Sequence, residues 1–128
     1  MTGFLRKLRA DRHGLTSLEF GLVALPLTML LFGVVEIGMV IRMKSALQYA
    51  TTQTARCTVV NTALCGTSDA AKTYAVSQAM GAPVAKSAFT VTTESCGSKV
   101  SASVAFPVVA QSVFPSSFTL SAAACYPK

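Results

Sequence analysis

Glu19 is a carboxylate in a place where carboxylates are costly. It stands five positions past Gly14, behind the basic cluster Arg6, Lys7, Arg9 and Arg12, and directly before an apolar run from Phe20 to Ile41. A charge in a membrane segment costs about 2.5–3.5 kcal/mol at mid-bilayer and less near the interface, so such a residue marks a functional site and calls for a positive partner. Glu36 is the only charge inside the run. Beyond the run the carboxylates are Asp69 and Glu94, and the single histidine, His13, lies on the other side of it. No Ser-His-Asp, Cys-His or paired-carboxylate arrangement can be built from this set. No catalytic residue is assigned, and the chain is not read as an enzyme. Cys57, Cys65, Cys96 and Cys125 all follow the run and contain no Cys-x-x-Cys spacing, so neither a metal site nor a cofactor is expected. An even number of cysteines in a small exported region points to two disulfides. Three pairings are open, of which Cys57–Cys65 with Cys96–Cys125 is preferred.

The elements that must carry these residues follow from composition and period. In 128 residues, 52% are hydrophobic and only 12% charged, too apolar for an ordinary soluble domain. At 1.5 Å per residue the run Phe20–Ile41 extends about 33 Å, enough for the hydrocarbon core of a bilayer. The net charge is +6, and residues 1–14 supply half of it through four basic side chains against Asp11. Arg42 and Lys44 close the far end. That bias predicts a single-pass protein with the N-terminus in the cytoplasm and the remainder outside. A basic patch without interleaved aromatics, next to an apolar run, is a topology signal, and nucleic acid is not an expected partner.

One helix is predicted from Leu15 to near Val59. Its first half is apolar all round. Its second half is amphipathic, with Met43, Ala46, Leu47, Ala50 and Thr54 at helical spacing. Pro26 lies inside it, which membrane helices accommodate with a kink or a locally melted turn. Residues eight apart on a straight helix are about 12 Å apart, whereas a disulfide needs Cα atoms within about 7 Å. A Cys57–Cys65 bond therefore requires the chain to turn back between them, and Asn61, Thr62 and Gly66 interrupt the helix. A second helix fits Asp69–Met80, capped by Ser68 and stopped by Gly81 and Pro83, with Ala71, Tyr74, Ala75 and Ala79 on its buried face. Phe89, Val91 and Thr93, then Val100, Ala102, Val104 and Phe106, alternate around the turn Ser95–Ser98 as a hairpin, and Phe118, Leu120, Ala122 and Ala124 make a third strand. The link from Pro107 to Ser117 is apolar and bounded by prolines; it is read as a loop folded onto the core, the alternative being a sticky exposed surface. The fold class is α+β: a long transmembrane helix extending into a small extracytoplasmic domain with a second helix and a three-stranded antiparallel sheet. The expected divisions are a basic leader at 1–14, a transmembrane and spine helix at 15–60, and a disulfide-stabilised domain at 61–128.

The stretch Gly14-Leu15-Thr16-Ser17-Leu18-Glu19-Phe20 resembles the processing site of type IV pilin-like proteins. Taken with Arg12-His13-Gly14, Pro26 and Val35-Glu36-Ile37-Gly38, it resembles the TadE-like family, the minor pilin-like proteins (pseudopilins) of tight-adherence systems that build Flp-type pili. Ala55-Arg56-Cys57 and Cys125-Tyr126-Pro127 are also similar to that family. The resemblance implies cleavage after Gly14 by an aspartic prepilin peptidase of the inner membrane, with Leu15 as the new N-terminus and this chain as the substrate. It implies assembly through Glu19, Phe20 and Glu36 with other pilin-like subunits and an inner-membrane assembly platform. It also implies an inner-membrane location, a periplasmic C-terminal domain and incorporation into a surface pilus. The freed α-ammonium of Leu15 would lie about 6 Å of helix rise from Glu19 and supply the positive partner. Glu36, about 25 Å further along the helix, has two readings: an interfacial charge near Arg42 and Lys44, or a partner for a basic group on an adjacent subunit.

Two other classes compete with an assembly subunit. One is an uncleaved, membrane-anchored periplasmic binding module, separated from the first by the N-terminus of the extracted protein. The other is a secreted enzyme with an ordinary signal peptide. It fits poorly, because the run exceeds the 7–15 residues or so of a signal h-region, and Glu36-Ile37-Gly38-Met39 offers no small-x-small cleavage site.

Overall fold

The computed structural model describes residues 13–106 and 118–127, with side chains from Thr16 onward. The leader up to Arg12 and the link 107–117 lie outside the described residues. Helix α1 runs His13–Val60 without interruption through Pro26. A short helix α2 (Thr62–Cys65), helix α3 (Ser68–Gln78) and a 3-10 turn (Lys86–Ala88) follow. Strands β1 (Phe89–Glu94), β2 (Gly97–Phe106) and β3 (Phe118–Tyr126) complete the fold. The sheet is an antiparallel meander in the order β1-β2-β3. The α+β class expected from the sequence is the class observed. The chain divides into two compact units between Ile37 and Gly38, so the outer unit takes in the last part of α1.

Asn61 is where the first turn-back occurs. Its side chain accepts from the Leu64 amide and caps α2, while its own amide still bonds the Cys57 carbonyl. The reversal brings Cys57 and Cys65 to a Cα separation of 5.8 Å, and they form a disulfide. Cys96, in the two-residue loop between Glu94 and Gly97, is bonded to Cys125 near the end of β3. Gly97 adopts φ +122°, and a Cβ there would run into the Tyr126 carbonyl oxygen, so the close approach of β2 to β3 depends on glycine.

Two helix ends differ from the sequence reading. Thr67, not Ser68, caps α3 by accepting from the Ala70 amide, because Ser68 is already the first helical residue. The helix stops at Gln78 rather than Met80. Met80 itself turns left-handed at φ 52°, one residue before Gly81 does the same at φ 74°.

The core of the outer unit is built from Leu47, Ala50 and Ala55 of α1, Ala75 and Ala79 of α3, Val84 from the connection, and Phe89, Val100, Ala102, Leu120 and Ala122 of the sheet. Register explains the sheet's share. Ala102 lies between Phe89 and Ala122, Val100 between Val91 and Ala124, and Val104 opposite Leu120, so the alternating apolar positions meet on one face. Phe118 departs from the pattern and is exposed. A second cluster of Cys57, Cys65 and Ala71, with Tyr74 and Val91 against it, surrounds the first disulfide. Val91 packs against both clusters, and Thr58, beside Cys57, places its Oγ1 2.7 Å from the hydroxyl of the buried Ser98.

Six of the eleven core residues are alanine. Alanine buries little area, so the hydrophobic gain per core residue is small at about 25 cal/mol per Å². The disulfides must supply a large share of the stability of so small a unit. Their loops differ, with sequence separations of 8 and 29 residues. Loop-entropy arguments give about 2.5 kcal/mol for the shorter and about 3.6 for the longer. The double variant Cys96→Ala/Cys125→Ala is therefore expected to lose about 1 kcal/mol more than Cys57→Ala/Cys65→Ala in denaturant unfolding of the detergent-solubilised chain. Thr54 provides an opposite case. Thr51 donates its hydroxyl to the Leu47 carbonyl at 3.0 Å, and Thr52 to that of Gln48 at 2.8 Å. The Thr54 hydroxyl is fully buried with no partner among the described residues. Thr54→Val keeps the shape and removes the unsatisfied group, and should raise the unfolding free energy by about 1–2 kcal/mol in the same assay.

Candidate functional site

The candidate site is the N-terminal part of α1, and its chemistry comes from surface rather than from a pocket. Gly14 and Leu15 lie in the first turn of the helix. From Thr16 onward the side chains of this unit are almost all exposed. Leu18, Phe20, Leu22, Leu25, Leu30 and Phe32 each present more than half of their surface. The most apolar 18-residue window has a mean hydropathy of 2.2 and is 0% buried. A helix that is apolar on every side is stable only when lipid or other helices cover it. Length and composition make it a candidate membrane span, and one such N-terminal helix suggests a single-pass anchor.

Helix continuity through Pro26 removes one backbone bond, since proline has no N–H. Thr28, two residues on, donates its hydroxyl to the Leu25 carbonyl at 2.9 Å, while the carbonyl that proline leaves without its donor is that of Leu22, four residues before it. Neither the charge inside this surface nor the one at its head is neutralised among the described residues. Glu19 is exposed and Glu36 half-buried, and neither has a hydrogen bond or ion pair among the described residues. Within the described residues the only salt bridge is Lys99 Nζ to Glu94, 3.0 Å, on the hairpin surface, where such pairs contribute about 0–1 kcal/mol. Glu19 and Glu36 therefore require partners that this part of the chain does not provide.

The remaining site residues are placed as follows. Phe20 is the most exposed large hydrophobic side chain of the helix among the described residues, 75% accessible, next to Glu19. The four cysteines pair with one another. Asp69 is exposed in the first turn of α3, and no group of three metal-ligating side chains occurs among the described residues. Sequence reasoning missed the left-handed Met80 and the Thr58–Ser98 contact. The pair Met80-Gly81 before Pro83 was the available signal for the first; the second joins residues forty apart and had none.

No curated protein and no solved structure matches the chain. Residues 14–56 match the family model described as TadE-like protein, about a third of the chain, from the glycine of the first turn to Arg56. The exposed apolar half of α1, Glu19 at its head and Glu36 within it all fall inside the match. The chain thus carries a TadE-like segment over most of its long helix, and that family points to a protein associated with a tight-adherence pilus.

Proposed function

We propose that this chain is a pseudopilin: a pilin-like structural subunit for a Flp-type, tight-adherence pilus. It is processed after Gly14 by a prepilin peptidase and assembled through its N-terminal helix with other pilin-like subunits on the inner-membrane platform. In this reading the N-terminus faces the cytoplasm and the disulfide-bonded unit the periplasm. The observation that carries it is the exposed Glu19, without an ion pair among the described residues, one helical turn past the Gly14–Leu15 junction and within the TadE-like segment.

The mechanism rests on charge. Cleavage creates an α-ammonium at Leu15 that the uncut chain lacks. Glu19 can neutralise its own terminus or that of a neighbour displaced along a helix bundle. In a low-dielectric bundle such pairing offsets much of the cost of desolvating both ions. Before cleavage the leader's cations hold that end at the cytoplasmic face. Processing thereby licenses assembly. Glu36 then pairs with a basic group on an adjacent subunit, or stays at the outer interface with Arg42 and Lys44.

Mass spectrometry of the membrane-extracted protein tests the first step. A mature N-terminus at Leu15 is expected. A chain that keeps residues ahead of Gly14, in cells where the peptidase is active, would make the protein an uncleaved anchored binding module instead. The second step is tested by Glu19→Gln, which keeps the shape and removes the charge. Membrane insertion and cleavage should be unchanged. Co-purification with other pilin-like subunits should fall about tenfold or more, since a buried ion left without its partner costs about 3–5 kcal/mol. Wild-type levels of co-purification from that variant would remove the ion pair from the mechanism.

A further inference from the structure

The outer unit holds a groove of about 580 Å³ that the pilus reading does not use. One wall is a face of α1 formed by Met39, Met43 and Tyr49, at helical spacing. The other is the connection after α3, with Met80 and Pro83, together with Phe106 at the end of β2. The volume falls in the range of about 300–1,000 Å³ typical of small-molecule sites. Arg42 is the only charged side chain in the lining, and no carboxylate faces it among the described residues.

Two observations indicate what fills it. The first is place in the sequence. Met39 belongs to the apolar run that ends at Ile41, and Arg42 is the first charge after it. If the run spans a bilayer, the mouth of the groove lies at the level where acyl chains give way to headgroups. The second is Met80. Its backbone sits at φ 52°, a region costly for any side chain with a Cβ, and the residue is 62% exposed. Met80 directly follows the C-cap Ala79, where a left-handed residue commonly ends a helix, so the turn closes α3 and leaves the exposed side chain to line the groove. Here the strained turn holds a flexible apolar thioether over an apolar groove. Three methionines give walls that adapt to a disordered chain, and Tyr49 is an amphipathic residue suited to an interface.

We propose that the groove binds a glycerophospholipid of the membrane that α1 spans, with an acyl chain between Met39, Met43, Met80 and Phe106 and the phosphate on Arg42. The inference rests on the membrane-anchor part of the proposed function and does not depend on cleavage. Bound lipid fixes the base of the outer unit to the leaflet, so that extraction of the subunit must either strip the lipid or carry it along.

The test uses the full chain in nanodiscs of phosphatidylethanolamine and phosphatidylglycerol with a trace of phospholipid bearing a diazirine in its acyl chain. After irradiation and trypsin digestion, label is read in the apolar run and in the peptide 73–86, which carries Met80. Label is expected in both. Arg42→Gln and Met80→Gly should each lower labelling of 73–86 at least about threefold while the run stays labelled. Met80→Gly should also raise the unfolding midpoint, since glycine relieves the left-handed strain; its loss of label cannot then be ascribed to misfolding. A labelled run with an unlabelled 73–86 overturns the lipid site alone, as does unchanged labelling in both variants, or capture of the groove by residues 107–117 or by a second copy. An unlabelled run overturns the anchor reading and the site with it.

Discussion

A single-sided sheet must be covered, and in this protein a stripe of α1 and the inner face of α3 share the covering. Leu47, Ala50 and Ala55 meet Phe89, Val100, Ala102, Leu120 and Ala122, with Ala75 and Ala79 of α3 filling beside them. Remove that contact and neither partner has another place to bury its apolar face. The meander would expose one face to water, and the second half of α1 would be an amphipathic rod with nothing to pack on. Alanine at so many contact positions brings backbones close but contributes little buried area. A core of that kind specifies where the helix and sheet meet more than it stabilises the meeting, and the two covalent cross-links make up the difference.

The same helix serves two solvents. Beyond Gly38 a stripe of its apolar residues, Leu47, Ala50 and Ala55 among them, is buried against protein; before it the apolar residues cover the whole circumference and face outward. The change from full circumference to stripe is what a chain needs to leave lipid and enter a folded unit. Charges are placed accordingly. Glu19 stands at the head of the outward-facing part and Glu36 within it, unpaired among the described residues, whereas Arg42 and Lys44 follow where the stripe begins. An acid with no internal partner, on a surface that must be covered, is an incomplete electrostatic unit. Under the proposed function, the amine freed by cleavage would complete it.

Backbone strain in the outer unit is confined to places with distinct purposes. Gly97 takes a positive φ so that β2 can press against the end of β3, and no larger residue fits there. Gly81 takes one in the turn that follows α3, without a Cβ penalty. Met80 takes one despite the penalty, and it lines the groove against α1. All three serve folding: Met80, the residue after the C-cap Ala79, ends α3, and a glycine there would do so more cheaply.

The sequence by itself determined whatever depends on local period and on charge order. The long helix, the turn-back forced between Cys57 and Cys65, the helix that closes before Gly81 and the alternating strands were all legible, because period 3.6, period 2 and turn residues are written in consecutive positions. So was the candidate segment Gly14–Phe20, whose meaning lies in spacing from a basic cluster and an apolar run. Tertiary structure decided the rest. It chose one cysteine pairing among three, since only folded distances separate them. It selected Thr67 over Ser68 as a cap, left Phe118 exposed, buried Thr54 without a partner, and set Thr58 against Ser98. Above all it brought Met80 and Phe106 to the side of α1 that carries Arg42. Residues so distant in the chain meet only through packing, and no period or spacing along the sequence encodes that meeting.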